Sequence, residues 1–326
     1  MPAAPCRLQA PSYGLLINYG TTADQLVMVG PDGCTGSSVQ FARPSPVGCG
    51  QGMGALAAPP VSASNDKVYF RDGDSKIRSL TPAGATADVT TVPGGPSRIT
   101  AFSVSPDDTR IAVVVEDLSN PSSIALQLYV EDLVGGGHHS VIYTSTATPG
   151  KSPTTLWPMG WHAGKLVLAV VTACTFEQVP APAAWHVVSA STALRLVTVG
   201  DAYCMPGWWP SPAGLVCTDT NTMQVRVYNW SGQITSTVPG NGGSPALSPD
   251  GSLVSTANGG GLGDPSPVTT IVHSTGGVQV VNPGVMACLW IDSTSLLAPD
   301  AVFSYPGGDV VSETAGQCAG RFPGGL

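Results

Sequence analysis

The chain has 326 residues, of which only 10% are charged, against roughly 25% in ordinary soluble domains. Its 40 glycines and 30 prolines favour short strands joined by tight turns, and the scarcity of charge excludes long surface helices. The balance of 13 Lys and Arg against 21 Asp and Glu gives a net charge of −8 without any basic run, so no nucleic-acid partner is expected.

The first ten residues, MPAAPCRLQA, contain neither a basic region nor an apolar segment of the kind found in secretory leaders. No stretch of the chain is apolar over the roughly 20 residues that a membrane span needs. We therefore expect no membrane span, and an extracellular or cell-envelope protein whose leader is not part of this sequence. Lipid anchoring of a precursor at Cys6 stays an open alternative.

A strand–turn–strand pattern recurs along the chain. Each copy has turn residues followed by a short apolar strand, and Ser-Pro-Asp-Gly is its clearest form because Pro presets φ, Asp bonds nearby backbone and Gly accepts positive φ. The copies in chain order are PSYGLLINY at Leu15, SNDKVYF at Val68, SPDDTRIAVVV at Ile111, HAGKLVLAVV at Leu166, SPAGLVCT at Leu215, SPDGSLVS at Leu253 and DSTSLLA at Leu296.

The spacing of these copies predicts the architecture. Neighbouring anchors are 38 to 55 residues apart, and most are followed by a second hairpin such as LQLYVEDLVGGG. A period of about 40 to 50 residues with several strands per unit is typical of β-propeller blades. We predict an all-β fold, a β-propeller of seven blades with four antiparallel strands each. Six blades is the alternative, because the first and last copies are weak.

The whole chain, residues 1–326, is predicted to be one propeller domain and a monomer. The approximate blades are 1–55, 56–97, 98–148, 149–200, 201–241, 242–283 and 284–326. Ring closure should bring the N-terminal segment beside the last blade. Cys318 is well placed to lock that closure by pairing with Cys6 or Cys288.

Eight cysteines are spread over the chain: Cys6, Cys34, Cys49, Cys174, Cys204, Cys217, Cys288 and Cys318. None forms a Cys-x-x-Cys pair and none has a histidine at zinc-finger spacing, so a zinc site is not expected. An even number of scattered cysteines favours disulfides in an oxidising compartment, with reduced buried thiols as the alternative. The most local pairing expected is Cys34 with Cys49.

Two of the copies, SVSPDDTRIAVVV and ALSPDGSLVSTA, resemble the repeat of TolB-type, WD-like bacterial β-propellers. The tail GQCAGRFPGG is similar to the ending of secreted bacterial propellers of this type. The resemblance implies the propeller fold over nearly the whole chain. It implies no catalytic residues, because its motif is structural and propellers of this kind range from protein-binding modules to enzymes.

Long loops predict where a site would lie. In a propeller the d–a and b–c connections share one face, called here the upper face, and a rigid scaffold tolerates variation there. The longest are DLSNPSSIA, TSTATPGKSPTT, TACTFEQVPAPAA and NGGGLGDPSPV, three of them on blades three and four. The candidate binding residues of this patch are Trp157, Glu177, Trp185, His186 and Tyr203. Trp157 and Trp185 could instead fill gaps between blades.

Other aromatic and polar residues have weaker claims. The tryptophans before the a–b turns are expected to pack between blades toward the opposite, lower face: Trp161, Trp208, Trp209 and Trp290. The pair His138–His139 lacks a third metal ligand, and DGDSK (Asp72 to Lys76) lacks the later ligands of a calcium loop. No cofactor and no metal ion is expected.

The sequence therefore predicts a secreted binding or scaffold propeller that recognises a protein or polysaccharide through its loop-rich upper face. It contains no Gly-x-Ser-x-Gly, His-Glu-x-x-His or Walker motif. One alternative is a carbohydrate-active enzyme, a polysaccharide lyase or a glycoside hydrolase, using His186 with Tyr203 or a pair of carboxylates. The other is a purely structural module.

Overall fold

The computed structural model describes residues 6, 8, 12–50, 53–55, 58–120, 122–148, 153–175, 182–207, 209–240, 243–258, 268–277, 279–308, 310–311, 316–320 and 325–326. These residues form strands and turns without any helix, and so contain no helix that is long and apolar enough to cross a membrane. The strands make seven four-stranded antiparallel sheets, the blades of a β-propeller, plus one small additional sheet. The all-β fold and the seven-blade count are confirmed.

The strands of the first four blades follow the chain, apart from the closing strand of blade one. Blade one contains β1 (Gly14–Tyr19), β2 (Ala23–Val29) and β3 (Thr35–Ala42). Blade two contains β6 (Val61–Ala63), β7 (Val68–Asp72), β8 (Lys76–Leu80) and β9 (Thr86–Thr91). Blade three contains β10 (Arg98–Val104), β11 (Arg110–Asp117), β12 (Ile124–Asp132) and β13 (Ser140–Ala147). Blade four contains β14 (Thr154–His162), β15 (Lys165–Thr172), β17 (Ala184–Val188) and β18 (Arg195–Val199).

The last three blades repeat the same order. Blade five contains β19 (Cys204–Pro206), β20 (Leu215–Asp219), β21 (Val225–Tyr228) and β22 (Ile234–Val238). Blade six contains β23 (Ser244–Leu247), β24 (Leu253–Asn258), β25 (Val268–His273) and β26 (Gln279–Pro283). Blade seven contains β27 (Leu289–Trp290), β28 (Ser295–Leu297), β29 (Val302–Ser304) and β30 (Val310–Val311).

The ring closes with a strand from the end of the chain. β31 (Gln317–Cys318) pairs antiparallel with β1, matching Leu16 with Cys318 and Ile17 with Gln317, and supplies the innermost strand of blade one. The expected neighbourhood of the two chain ends is therefore present. Because β31 pairs with β1 at Leu16 and Ile17, the backbone of β1 has no unpaired edge at these two residues.

The repeated turn works through its serine and aspartate. In the sixth blade the Ser248 hydroxyl donates to Asp250 Oδ1 at 2.7 Å and accepts from the backbone N–H of Leu253 at 2.9 Å. The third blade repeats this geometry with Ser105 and Asp107 at 2.6 Å. The fourth turn residue has positive φ, 75° at Gly251, which explains the preference for glycine there.

Large aromatic side chains join neighbouring blades. Trp161 Nε1 on blade four donates to the Ser103 carbonyl of blade three at 3.2 Å, and both the Trp161 and Trp290 side chains are buried. Trp290 Nε1 on blade seven reaches the Ala246 carbonyl of blade six at 3.4 Å. The prediction that these two pack between blades is confirmed, whereas Trp208 lies outside the described residues.

All eight cysteines form disulfides: Cys6–Cys34, Cys49–Cys174, Cys204–Cys217 and Cys288–Cys318. The pairing expected between Cys34 and Cys49 is wrong. Cys34 lies in the c–d turn of blade one on the lower face, and Cys49 lies after that blade's last strand on the upper face, so the thickness of the blade separates them. Of the two partners considered for Cys318, the structure selects Cys288 and links blade seven to the closing strand.

The additional sheet, called here the cap sheet, consists of β4 (Gly48–Gly50), β5 (Met53–Ala55) and β16 (Cys174–Thr175). Its first two strands belong to the connection between blades one and two, and its third belongs to the b–c connection of blade four. The Cys49–Cys174 disulfide joins the two parts, and the apolar side of the sheet packs on Leu118 and Ile124 of blade three. The cap sheet therefore crosses the upper face from blade one to blade four.

Candidate functional site

A cavity of about 330 Å³ lies in the central channel toward the upper face. Its wall is mostly apolar, with aromatic side chains, three prolines and two residues of the charged types, Asp24 and Arg71. The lining residues are Ile17, Tyr19, Asp24, Pro44, Ala58, Pro59, Pro60, Arg71, Trp157, Trp209, Gln317, Cys318 and Ala319. We call it the channel-mouth cavity. Mostly apolar pockets with a few polar groups are typical of binding sites.

Arg71 carries the most unusual charge in this wall. It lies near the upper end of β7, its side chain is 3% exposed, and Nη1 donates a short hydrogen bond to the Thr100 carbonyl of blade three. Its Nε has no hydrogen-bond partner among the described residues. Burial lowers the pKa of Arg71 to about 10, a change that the charge of Asp74 opposes. The guanidinium is thus a buried cation whose hydrogen-bonding capacity is only partly used.

The other charge in the wall is already neutralised. Asp24 is buried at the start of β2, and its Oδ1 lies 2.5 Å from Arg43 Nε in an ion pair. The Arg43 guanidinium also lies over the ring of Tyr19, 5.8 Å from its centroid, and donates to the Gly20 carbonyl. Tyr19 itself is 53% exposed at the rim of the cavity. Among the described lining residues, the unbalanced charge is therefore the positive charge of Arg71.

Trp209 closes the cavity from below. Its side chain packs against the hydrophobic cluster of blades three to five and against the cluster of blades one and seven, so it crosses the channel. A Cβ on Gly320, whose φ is +61°, would lie 1.8 Å from the Trp209 ring, so only glycine fits there. Beneath this contact Leu326 fills the lower channel and donates its N–H to the Trp161 carbonyl at 2.8 Å.

The connection that leads into the cap sheet is fixed by carboxylates of blade two. Asp72 Oδ1 accepts from the backbone N–H of Ala42 at 2.7 Å, and Asp74 accepts from the backbone and the hydroxyl of Ser45 at 2.6 and 3.0 Å. A second cavity of about 150 Å³ lies under this connection and shares Arg71 with the channel-mouth cavity. Arg71 thus lies between the channel-mouth cavity and the smaller cavity under the connection that leads into the cap sheet.

A shallow groove of about 670 Å³ runs along the upper edge of blades two and three. Its wall includes Arg98, Asp117 and Gln127, and Arg98 Nε pairs with Asp117 Oδ2 at 2.8 Å. Hydrogen bonds to Ser119 and the charge of Arg98 lower the pKa of Asp117 to about 2. The groove adds an open surface of mixed apolar and polar residues near the upper face.

Glu116 is a second buried charge-bearing residue near the upper face. It precedes Asp117 at the end of β11, its side chain is 2% exposed, and the Thr155 hydroxyl of blade four faces it. Burial raises the pKa of Glu116 to about 8, and Thr155 partly opposes this rise. The carboxyl group is therefore largely protonated at neutral pH. It does not line the channel-mouth cavity.

The structure places the predicted site residues in different surroundings. Trp157 is buried and lines the channel-mouth cavity, and Trp185 is buried with it in one hydrophobic cluster spanning blades three to five. His186 is half-buried on β17, where burial and the charge of Arg195 lower its pKa. Tyr203 is 54% exposed before β19, and Glu177 lies outside the described residues.

Of the described members of that set, only Trp157 lines the cavity. Tyr19, Asp24 and Arg71 line the cavity but are not among the predicted site residues, and Trp209, predicted to pack between blades, lies across the channel. Tyr19 is the last residue of β1 and Arg71 the last but one of β7, so both lie at the upper end of strand b. The repeat alone does not mark that strand end as a site, because Glu116 has the corresponding position in blade three and does not line the cavity.

The two adjacent histidines are engaged in local pairs. On the exposed c–d turn of blade three, His138 Nδ1 lies 2.7 Å from Asp132, and His139 Nδ1 lies 2.7 Å from Glu131. Within the described ranges, no group of three or more His, Cys, Asp or Glu side chains is arranged to hold a metal ion.

No protein-family model matches the chain, and no curated protein matches its sequence. Among solved structures, an oligogalacturonate lyase in complex with manganese is similar with a TM-score of 0.51 at 12% identity, over 93% of this chain and 90% of that one.

Two further structures are similar at lower scores. A putative 6-phosphogluconolactonase from Bacteroides uniformis gives 0.49 at 14% identity over 94% and 98% of the two chains. TolB from Acinetobacter baumannii gives 0.42 at 15% identity over 87% and 66%. At these identities likeness concerns the fold alone. The fold implied by the TolB-type repeat is confirmed: this chain is a seven-bladed β-propeller.

Proposed function

We propose that the chain is a binding propeller of an oxidising, extracellular or cell-envelope compartment, and that it recognises a protein or polysaccharide ligand on its upper face. The observation that carries the proposal is the channel-mouth cavity, with aromatic side chains around one buried, partly unpaired guanidinium. The four disulfides, which include all eight cysteines, support the compartment. The set Trp157, Glu177, Trp185, His186 and Tyr203 stays a prediction for the wider binding surface.

The arrangement of charges favours binding over catalysis. A glycoside hydrolase needs two carboxyl groups facing each other across the cleft, and a lyase needs a base near the reacting carbon. Among the described residues of the cavity wall, Asp24 is the one carboxylate, and it is held by Arg43. The likeness to an oligogalacturonate lyase supports the carbohydrate-active alternative only at the level of the fold.

The proposal is tested by a matched pair of tyrosine variants. Tyr19 is 53% exposed at the cavity rim, and Tyr143 is 41% exposed on the outer strand of blade three. A glycan array and a peptide array are probed with the wild-type protein, and any ligand found is titrated against both variants. We expect Tyr19→Ser to weaken binding at least tenfold, about 1.4 kcal/mol, and Tyr143→Ser to leave it unchanged.

Equal affinities of the two variants would place binding elsewhere and overturn the proposal. Turnover of an array ligand by the wild-type protein would instead favour the carbohydrate-active alternative.

A further inference from the structure

The wall of the channel-mouth cavity combines one unbalanced positive charge with apolar surroundings. Arg71 Nη1 donates a hydrogen bond to the Thr100 carbonyl. The Arg71 Nε is buried without a hydrogen-bond partner in the part of the chain that the structure describes. The ion pairs formed by the described residues do not include Arg71. A buried cation without a paired anion is costly even with the charge of Asp74 acting on it, and a ligand carboxylate would reduce that cost.

The remaining wall indicates what the carboxylate is attached to. Ile17, Pro59 and Pro60 form an apolar side, and Trp157 and Trp209 add large aromatic surfaces. A sugar acid presents several hydroxyl groups that need partners, and this wall offers few polar side chains to bind them. An aliphatic or aromatic group fits such a surface better, because it buries apolar area without unsatisfied donors.

The size and shape of the cavity limit the ligand to a chain end. A volume of about 330 Å³ is at the lower end of the range for small-ligand pockets, and Trp209 with Gly320 closes its lower side. The middle of a polymer chain cannot thread through a cavity that is closed at its lower side, whereas the end of a chain can enter it from above. Capture of a terminal carboxylate is one of the recurring modes of peptide recognition.

We propose that the channel-mouth cavity binds the free C-terminus of a peptide that ends in an apolar residue, with the terminal carboxylate on Arg71 and the last side chain against Trp157 and Trp209. The inference rests on the proposed function and specifies its ligand.

The test compares two peptides that differ only at the terminus. N-acetyl-Ala-Ala-Leu with a free carboxylate and the same peptide with a terminal amide are titrated into the wild-type protein by calorimetry. We expect the free acid to bind at least tenfold more tightly than the amide. The side-chain requirement is checked with a third peptide ending in Asp, which we expect to bind at least tenfold more weakly than the peptide ending in Leu.

Arginine variants connect this difference to the cavity. Arg71→Met should abolish the preference for the acid, so that acid and amide bind equally, and Arg71→Lys should retain part of it. Arg195→Met removes an exposed arginine of β18 and should leave the preference intact. Circular dichroism of each variant checks the fold, and the comparison of acid with amide on the wild-type protein depends on no variant.

The outcomes separate the two proposals. Equal binding of acid and amide to the wild-type protein, or absence of binding by both, overturns the peptide-terminus proposal. Tighter binding of galacturonate than of the peptide overturns it in favour of an acidic sugar. If an array ligand without a carboxylate binds in a Tyr19-dependent way, the proposed function stands while this inference fails.

Discussion

Arg71 and Glu116 occupy corresponding places in adjacent blades. Each lies near the upper end of strand b, and each side chain points toward the next blade, Arg71 to the Thr100 carbonyl and Glu116 to Thr155. Apolar residues precede both in the same strands, at residues 68–70 of β7 and 111–115 of β11, so each ionisable group follows a buried apolar run. Both groups lose hydration on folding, which lowers the pKa of the base and raises that of the acid.

Glu116 makes the stability of the protein depend on pH. Its pKa rises from 4.5 to about 8 on folding, so between these values the folded state holds a proton that the unfolded state releases. The free energy of unfolding should therefore fall as pH rises through this window and level off above about pH 8, by about 1.4 kcal/mol per unit between the two pKa values. Urea titrations from pH 5 to pH 9 measure this slope.

Matched variants assign the slope to this carboxyl group. Glu116→Gln should remove most of it and stabilise the protein at pH 8 relative to wild type. Asp88→Asn, at a side chain that is 76% exposed, should preserve it. An unchanged slope in the glutamine variant would show that Glu116 is not the group responsible.

At the scale of single residues, sequence reasoning succeeded where the chemistry is local. Trp161 precedes an a–b turn, and such a position faces the neighbouring blade whatever the rest of the fold does. Arg71 could not be identified, because VYFRDGDSK has the pattern of an ordinary strand that ends in a charged turn. Its burial depends on Thr100 and Pro60, which are distant in sequence from its own turn.

At the scale of elements, the cap sheet is the feature that the repeat could not predict. Its strands come from residues 48–55 and 174–175, which lie outside the strand–turn–strand copies. The pairing of Cys174 with Ala55 joins segments that are more than one hundred residues apart, and no local pattern encodes such a contact. The blade hairpins were predictable because their partners are adjacent in the chain and their turns carry Ser, Pro, Asp and Gly.

The disulfide of the cap sheet should stabilise the ring more than a disulfide within one blade. Cys49–Cys174 spans 125 residues and Cys204–Cys217 spans 13. On the chain-entropy account the longer loop contributes roughly 5 kcal/mol and the shorter one roughly 3 kcal/mol. We expect the double variant Cys49→Ala, Cys174→Ala to lose more unfolding free energy than Cys204→Ala, Cys217→Ala, as measured by urea titration without reductant.

A ranking in the opposite order would indicate that the cap sheet is not coupled to the blades in solution. Peptide mapping of the unreduced wild-type protein provides the control, because it must recover the peptide that joins Cys49 to Cys174.

At the scale of the whole molecule, the closing strand joins the first and last parts of a ring of seven blades. Five blades are formed by consecutive strands, and blade four lacks only β16, which belongs to the cap sheet. Blade one takes its innermost strand, β31, from the far end of the chain. The neighbourhood of the chain ends followed from the ring geometry alone. The choice of Cys288 as the partner of Cys318 required the register of β31 on β1, which weak first and last copies of the repeat could not supply.

Removal of the closing strand should expose β1 to association. A variant without residues 316–326 leaves Leu16 and Ile17 without their partners Cys318 and Gln317. An unpaired strand edge with apolar side chains pairs readily with other chains. We expect this variant to form larger assemblies than the full chain in size-exclusion chromatography with light scattering.

The control distinguishes the effect of losing the β31 strand from the effect of losing its disulfide bond. The double variant Cys288→Ala, Cys318→Ala keeps β31 and should elute like the full chain. If the shortened protein also elutes like the full chain, hydrogen bonding by β31 is not needed to protect the edge of blade one.

The contact between Trp209 and Gly320 determines how a small molecule can enter and leave the central channel. Among the described residues, the indole lies on the Gly320 backbone with Leu326 below it, and these groups close the lower side of the upper channel. A solute that enters must leave through the same opening, past Tyr19 and the prolines at its rim. We therefore expect the release rate of a bound ligand to depend on the residues of this opening, and substitutions on the lower face of the propeller to leave that rate unchanged.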